Sequence, residues 1–138
     1  MELSRRNFIR TSAGTAAGIT IVPSFVLGNT LGYKAPSDKL NIAGIGIGGK
    51  GAANIATMTS ENIVALCDVD WAYSKKTFEA YPDAKCFWDF RKMYDEMGDD
   101  IDAVMIATAD HTHAIIAAEA IVRGKHVFCQ KPLTHSVY

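Results

Sequence analysis

The run Asn41-Ile42-Ala43-Gly44-Ile45-Gly46-Ile47-Gly48-Gly49-Lys50-Gly51 holds the residue types that a phosphate-binding turn requires. It contains G-x-G-x-x-G in two registers, Gly44/Gly46/Gly49 and Gly46/Gly48/Gly51. In a dinucleotide site one glycine turns the chain sharply out of a strand. A second removes the Cβ that would meet a pyrophosphate, and a third lets the next helix pack close to the strand. The N–H groups at the helix start then face the phosphates. The second register is preferred, because it leaves Ile42–Ile45 intact as a strand and starts the helix directly after Gly51. Gly46, Ile47, Gly48, Gly49, Lys50 and Gly51 are therefore assigned to cofactor binding. The competing reading is a glycine turn without a ligand, since glycine serves wherever φ is positive. Asp68 weighs against it. It closes the apolar run Asn62–Cys67 and stands 20 residues after Gly48. A carboxylate there accepts hydrogen bonds from the adenosine ribose and repels a 2′-phosphate, which favours NAD over NADP. A helix N-cap is the other role open to Asp68, and Asp70 can fill either.

Two further runs follow strand-like segments. Thr108-Ala109-Asp110-His111-Thr112-His113 comes after Ile101–Ala107, and Gln130-Lys131-Pro132 comes after His126–Cys129. A lysine on that rim can stand beside a nicotinamide ring or a substrate hydroxyl, where its charge would stabilise an alkoxide. Pro132 fixes the turn that aims it; the sequence does not say whether the Lys131–Pro132 bond is cis. His111 and His113 have a bland alternative, as loop or helix-start residues bonded to backbone. His126 is expected to be a structural strand residue and His135 to be exposed.

These residues need elements to hold them. Leu40–Ile45, Asn62–Cys67, Lys85–Trp88, Ile101–Ala107 and His126–Cys129 read as strands. Helices are expected over Ala52–Met58, over Trp71–Tyr81 with Trp71, Ser74, Lys75 and Phe78 at helical spacing, over Phe90–Met97 and over Thr112–Arg123. Asp89 is the expected N-cap of the third helix and Gly98 its close; Gly124 is the expected C-cap of the fourth. Strands alternating with helices at these lengths imply an α/β fold: a Rossmann-type, doubly wound parallel sheet in three α/β/α layers with right-handed crossovers. Ligands of such sheets bind beyond the carboxyl ends of the strands, where Asp68, the Thr108 loop and Lys131 all fall.

With 138 residues and 49% apolar composition, the chain is long enough for one globular domain. Its net charge is −1, and the segment Met1–Thr30 contributes three basic residues against one acidic. Nothing in that balance suggests nucleic-acid binding, which would call for a basic patch. Cys67, Cys86 and Cys129 fit neither a disulfide framework nor a zinc site and are expected to be buried as small hydrophobes; no metal is expected. Residues 1–30 stand apart. Ser4-Arg5-Arg6-Asn7-Phe8-Ile9-Arg10 precedes the uncharged, Ala/Gly/Thr-rich stretch Thr11–Leu27. This resembles a twin-arginine export signal, which implies the twin-arginine translocase as a partner and a periplasmic or otherwise exported protein. Residues 31–38 read as a linker and 39–138 as the nucleotide-binding domain.

Taken in order, Gly46–Gly51, Cys67-Asp68, Thr108-Ala109-Asp110-His111-Thr112-His113 and Gly124-Lys125-His126-Val127-Phe128-Cys129-Gln130-Lys131-Pro132 are similar to the motifs of the Gfo/Idh/MocA family, the glucose–fructose oxidoreductase and inositol dehydrogenase group. The resemblance covers Lys39–Tyr138. It implies that Lys131 stands next to nicotinamide and substrate as a catalytic residue. It also implies that Thr108, His113 and Gln130 join the cofactor site, with His113 on the pocket rim and Gln130 by the nicotinamide ribose. Ala109 replaces the family's proline. Gln130 replaces its glutamate and has no proton to exchange. Family members carry a second α/β domain that holds most substrate contacts. The chain is accordingly expected to be the N-terminal part of a longer protein, its C-terminal substrate domain absent. The implied activity is hydride transfer between NAD and a sugar, polyol or related carbohydrate. The alternatives are the cofactor domain of an NAD-dependent glycosidase, or a non-catalytic fragment or pseudoenzyme. An oligomer of the full-length protein is compatible with either class.

Overall fold

A computed structural model describes residues 38–134. Residues 1–30, read above as an export signal, nearly all of the expected linker, and His135 lie outside the described residues. β1 (Asn41–Ile45) leads through the glycine run into α1 (Lys50–Ala56), followed by β2 (Asn62–Cys67), α2 (Trp71–Ala80) and β3 (Lys85–Phe87). Then come α3 (Phe90–Met97), a 3-10 turn (Gly98–Asp100), β4 (Ala103–Ile106), α4 (Asp110–Val122) and β5 (His126–Cys129). The five strands form one parallel sheet in the order β3-β2-β1-β4-β5. This is the expected doubly wound α/β fold.

The strand alternation sorts the core onto two faces. Ala43, Ile45, Ala65, Cys67, Val104 and Ile106 point to one side, where Met93 and Tyr94 of α3 and Ile116, Ala117 and Ala120 of α4 cover them. Ile42, Leu66 and Met105 point to the other, with Ile55 of α1 and Phe78 of α2. The first two crossovers thus lie on one face and the next two on the opposite face. The chain reverses direction between β1 and β4, and a crevice opens there at the carboxyl ends.

Several expected boundaries move. α1 begins at Lys50, so Gly51 lies inside the helix rather than ahead of it. α4 begins two residues earlier than expected, at Asp110. Gly98 does not close α3 in the left-handed conformation; its φ is −52° and it opens the 3-10 turn. Gly124 does take positive φ, 73°, and the Gly124 and Lys125 N–H groups return to Ile121 O and Ala120 O, which caps α4. Asp89 caps α3 by accepting from Arg91 N–H at 2.9 Å. The buried face of α2 is Ser74, Thr77 and the half-buried Phe78, not Trp71 and Lys75. Of the three cysteines only Cys67 is buried; Cys86 is exposed and Cys129 intermediate, because the strands that carry them are the two sheet edges.

Candidate functional site

The glycine loop sits at the switch point between β1 and β4. Gly46 has φ 75°, and a Cβ there would lie 2.7 Å from Thr108 N and 2.8 Å from Ala107 O. A Cβ on Gly51 would overlap the carbonyl oxygen of Gly46, so α1 rests directly on the turn that leaves β1. The tight turn and the close helix packing therefore fall to Gly46 and Gly51. Gly44 does neither job: it is a strand residue whose Cβ would meet Ile47, Ile55 and Leu66 in the core. The geometry matches the Gly46/Gly48/Gly51 register. Ile47 is fully buried, so only its backbone can face a ligand, whereas Gly49 and Lys50 are exposed.

Asp68 emerges from the end of β2 and turns its carboxylate onto this loop. Oδ2 accepts from Ile47 N–H at 2.9 Å, Gly48 N–H at 3.1 Å and Ser74 Oγ–H at 2.6 Å. Oδ1 accepts from Asp70 N–H at 2.9 Å. The N-cap of α2 is Asp70, which accepts from Tyr73 N–H at 2.9 Å. Of the two acids, Asp70 takes the N-cap, and Asp68 is bonded to the glycine loop and to Ser74.

Beyond the loop lies a cavity of about 700 Å³, lined among others by Gly46, Gly48, Asp68, Thr108 and His111. Its volume suits a dinucleotide half or a drug-sized ligand. Cys67 lies in its wall. Burial first, then the charges of Asp68 and Asp89, push that thiol up to about 12, so it stays neutral at neutral pH. Sequence reasoning missed the outer wall. Tyr73, Trp88, Phe90 and Arg91 all contribute to the cavity. The Tyr73 ring covers the face of Gly48. Trp88, 62% exposed, stands 6.1 Å from the Trp71 ring, and Arg91 lies over Phe90 at 4.4 Å. One signal could have found Trp88, Phe90 and Arg91. β3 pairs with β2, so whatever follows Phe87 must emerge on the same rim as Asp68.

The residues expected at the nicotinamide end are arranged differently. His113 is 1% exposed and does not stand on the pocket rim. Its Nε2 lies 3.0 Å from Thr108 O and its Nδ1 2.6 Å from Pro132 O, so the ring ties the loop after β4 to the turn after β5. Both ring nitrogens face carbonyl oxygens, and a neutral imidazole carries one N–H, so the tautomer decides which of the two contacts is the donated hydrogen bond. Thr108 does line the cavity, and its hydroxyl lies 2.7 Å from Thr112 Oγ1. Gln130 is intermediate in burial and folds back, its Oε1 accepting from Lys131 N–H at 2.9 Å. Lys131 is exposed, its bond to Pro132 is cis, and neither Gln130 nor Lys131 is in the cavity wall. The structure therefore gathers Gly46, Gly48, Asp68 and Thr108 around one space and leaves the expected catalytic lysine on the turn beside it.

The cradle fits a dinucleotide on its own evidence, since Gly46 and Gly51 lie where backbone leaves no room for a side chain and Asp68 flanks the loop. The model of a family described as an oxidoreductase family with an NAD-binding Rossmann fold, GFO_IDH_MocA, matches residues 39–138. Inositol 2-dehydrogenase of Salmonella typhimurium (strain LT2) is 32% identical over 98 residues, which take in 69% of this chain and 29% of that protein. A glycosyl hydrolase family 109 protein of Shewanella pealeana is 28% identical over 99% of this chain and 35% of its own length. Among solved structures, myo-inositol dehydrogenase from Lactobacillus casei, in complex with NAD(H) and myo-inositol, superposes with a TM-score of 0.63 at 26% identity, covering 70% of this chain and 29% of that one. The chain spans about 29% of the length of the inositol dehydrogenases that it matches.

Proposed function

The chain belongs to the Gfo/Idh/MocA oxidoreductase family and carries its NAD-binding Rossmann domain, and from that premise we propose that it is the cofactor-binding part of an exported enzyme that moves a hydride between NAD and a sugar, polyol or related carbohydrate. The observation that carries the reading is the glycine loop at the β1/β4 switch point, with the Asp68 carboxylate locked beside it. When bound, the nicotinamide supplies the hydride chemistry, and the protein supplies position and charge. Gly46 to Gly51 would accept the pyrophosphate. Asp68 would take a ribose hydroxyl on Oδ1, which has one donor where Oδ2 has three. Thr108 would face the cofactor from the β4 side. Lys131 would bring its charge to the substrate oxygen from the adjoining turn, with Gln130 and His113 fixing the local backbone.

Calorimetric titration of the chain with NAD and NADP tests this. NAD is expected to bind more tightly than NADP. Gly48→Val should abolish binding in a folded domain, because its side chain would fill the face above the loop. Asp68→Ala should weaken it by roughly 1.5–3 kcal/mol, the worth of an ionised hydrogen bond. Unchanged NAD affinity in both variants would remove the reading.

A second reading has its own support. The Shewanella glycosyl hydrolase relative aligns over 99% of this chain, which favours a role as the cofactor domain of an NAD-dependent glycosidase. Release of a sugar from a glycoside without net NADH formation, assayed on the longer protein, would decide for it. Export rests on Arg5 and Arg6 in their setting. Arg5→Lys with Arg6→Lys should leave a reporter fused after Lys39 in the cytoplasm, and equal periplasmic yield from both forms would refute the signal.

A further inference from the structure

Two of the buried polar residues of the domain lie on α2, and both hydroxyls point at the glycine loop. Ser74 is 1% exposed and Thr77 7%. They are three residues apart and so share one face of the helix. A helix face that only packs against a sheet is ordinarily apolar. Here Thr77 Oγ1–H donates to Ile47 O at 2.9 Å, and Ser74 Oγ–H donates to Asp68 Oδ2 at 2.6 Å. Asp68 in turn accepts from the N–H groups of Ile47 and Gly48.

We propose that Ser74 and Thr77 are positioning residues for nucleotide binding, through which α2 sets the backbone geometry of the glycine loop. Ile47 is held at three points. Its side chain is in the core, its N–H is on Asp68 and its C=O is on Thr77. That fixes the peptide plane on each side of the residue, and with it the directions in which the next residues, Gly48 and Gly49, present their backbone. Ser74 acts one step further back. By occupying Oδ2 it fixes the rotation of the Asp68 carboxylate and turns Oδ1 toward the ribose. The inference rests on the nucleotide-binding reading above.

The test uses the full 138-residue chain and the variants Thr77→Val, Thr77→Ser, Ser74→Ala and, as a control, Ile101→Val. Ile101 is buried before β4, in the core cluster on the other face of the sheet from Ile47. NAD affinity is measured by calorimetry well below each melting temperature. Thr77→Val and Ser74→Ala should weaken NAD binding about fivefold to tenfold, in keeping with loss of one hydrogen bond. Thr77→Ser should bind as the wild type does. Ile101→Val should lower the melting temperature and leave affinity alone. Amide exchange supplies a readout that needs no cofactor: Thr77→Val should speed exchange at Ile47 and Gly48 but not at Ala43. Wild-type affinity or wild-type exchange in Thr77→Val would overturn the inference, and if that variant does not fold, Ser74→Ala decides by the same two measures. A wild-type chain that binds no NAD would instead count against the proposed function, with the exchange measurement still deciding the role of α2.

Discussion

At Gly51 even a methyl group has no place, because it would overlap the carbonyl oxygen of Gly46. The neighbour is backbone and cannot rotate aside. Gly51→Ala must lift α1 from β1 or distort the turn at Gly46, at a cost of about 1–3 kcal/mol. Chemical denaturation should show that loss, and the fraction that folds should bind NAD poorly, since the loop will have moved. Gly48 differs. The main obstacle there is the exposed Tyr73 ring, which can swing away; beside it only the buried Ser74 Oγ, at 3.0 Å, would crowd a Cβ. A substitution at Gly48 should therefore spare stability while blocking the ligand. The cysteines give a second contrast at this scale. A raised thiol pKa means less thiolate and slower reaction at any pH below it. Cys67, pushed up to about 12, should resist a thiol reagent at mildly alkaline pH until the protein is denatured. Cys86 is exposed and shifted only by a small degree of burial, so it should label first. Rapid labelling of Cys67 in the native chain would show that the β2 end opens.

Among the elements, α4 offers the cleanest test of a cap. Gly124 has φ 73° with open space around the position of a Cβ. Gly124→Ala should therefore cost about 1 kcal/mol through backbone conformation alone. NAD affinity should not change, and a large effect on binding would mean that the cap couples to the site. Elements whose ends are marked by side-chain chemistry were legible in the sequence. β2 ends at Asp68, α3 starts after the Asp89 cap, and β5 lies between the Gly124 cap and the Gln130 turn. α1 was read late because glycine counts against a helix, whereas close approach to Gly46 demands glycine inside this one. The helical spacing of α2 was legible, but which of its positions face inward was not. Periodicity favours large apolar residues such as Trp71, but the face that meets the loop needs hydroxyls. The sites of His113 and Lys131 depend on how two loops travel after their strands, and strand patterning carries no information on that path. The outer wall built by Tyr73, Trp88 and Arg91 was invisible to motif reading because its one marked residue, Asp89, read only as a helix cap.

For the molecule as a whole, the cavity holds the ingredients of binding more fully than those of turnover. Thr108, Asp68 and the glycine loop converge, while Lys131 stands on an exposed turn and Gln130 has no proton to exchange. The chain alone should bind NAD yet form no NADH with a panel of sugars and polyols, because hydride transfer needs an acid–base group within reach of the substrate hydroxyl. Clear turnover, read from the nicotinamide absorbance band, would place that group among His111, His113 and Lys131. The aromatic outer wall has a further consequence, an optical one. The chain has two tryptophans, and Trp71 and Trp88 lie against each other, with Trp88 on the cavity. All of its indole emission thus arises from one spot at the mouth of the site. A nucleotide settling there should dim that emission, and a reduced nicotinamide should draw energy from it. The protein carries, without a label, its own gauge of whether the pocket is full.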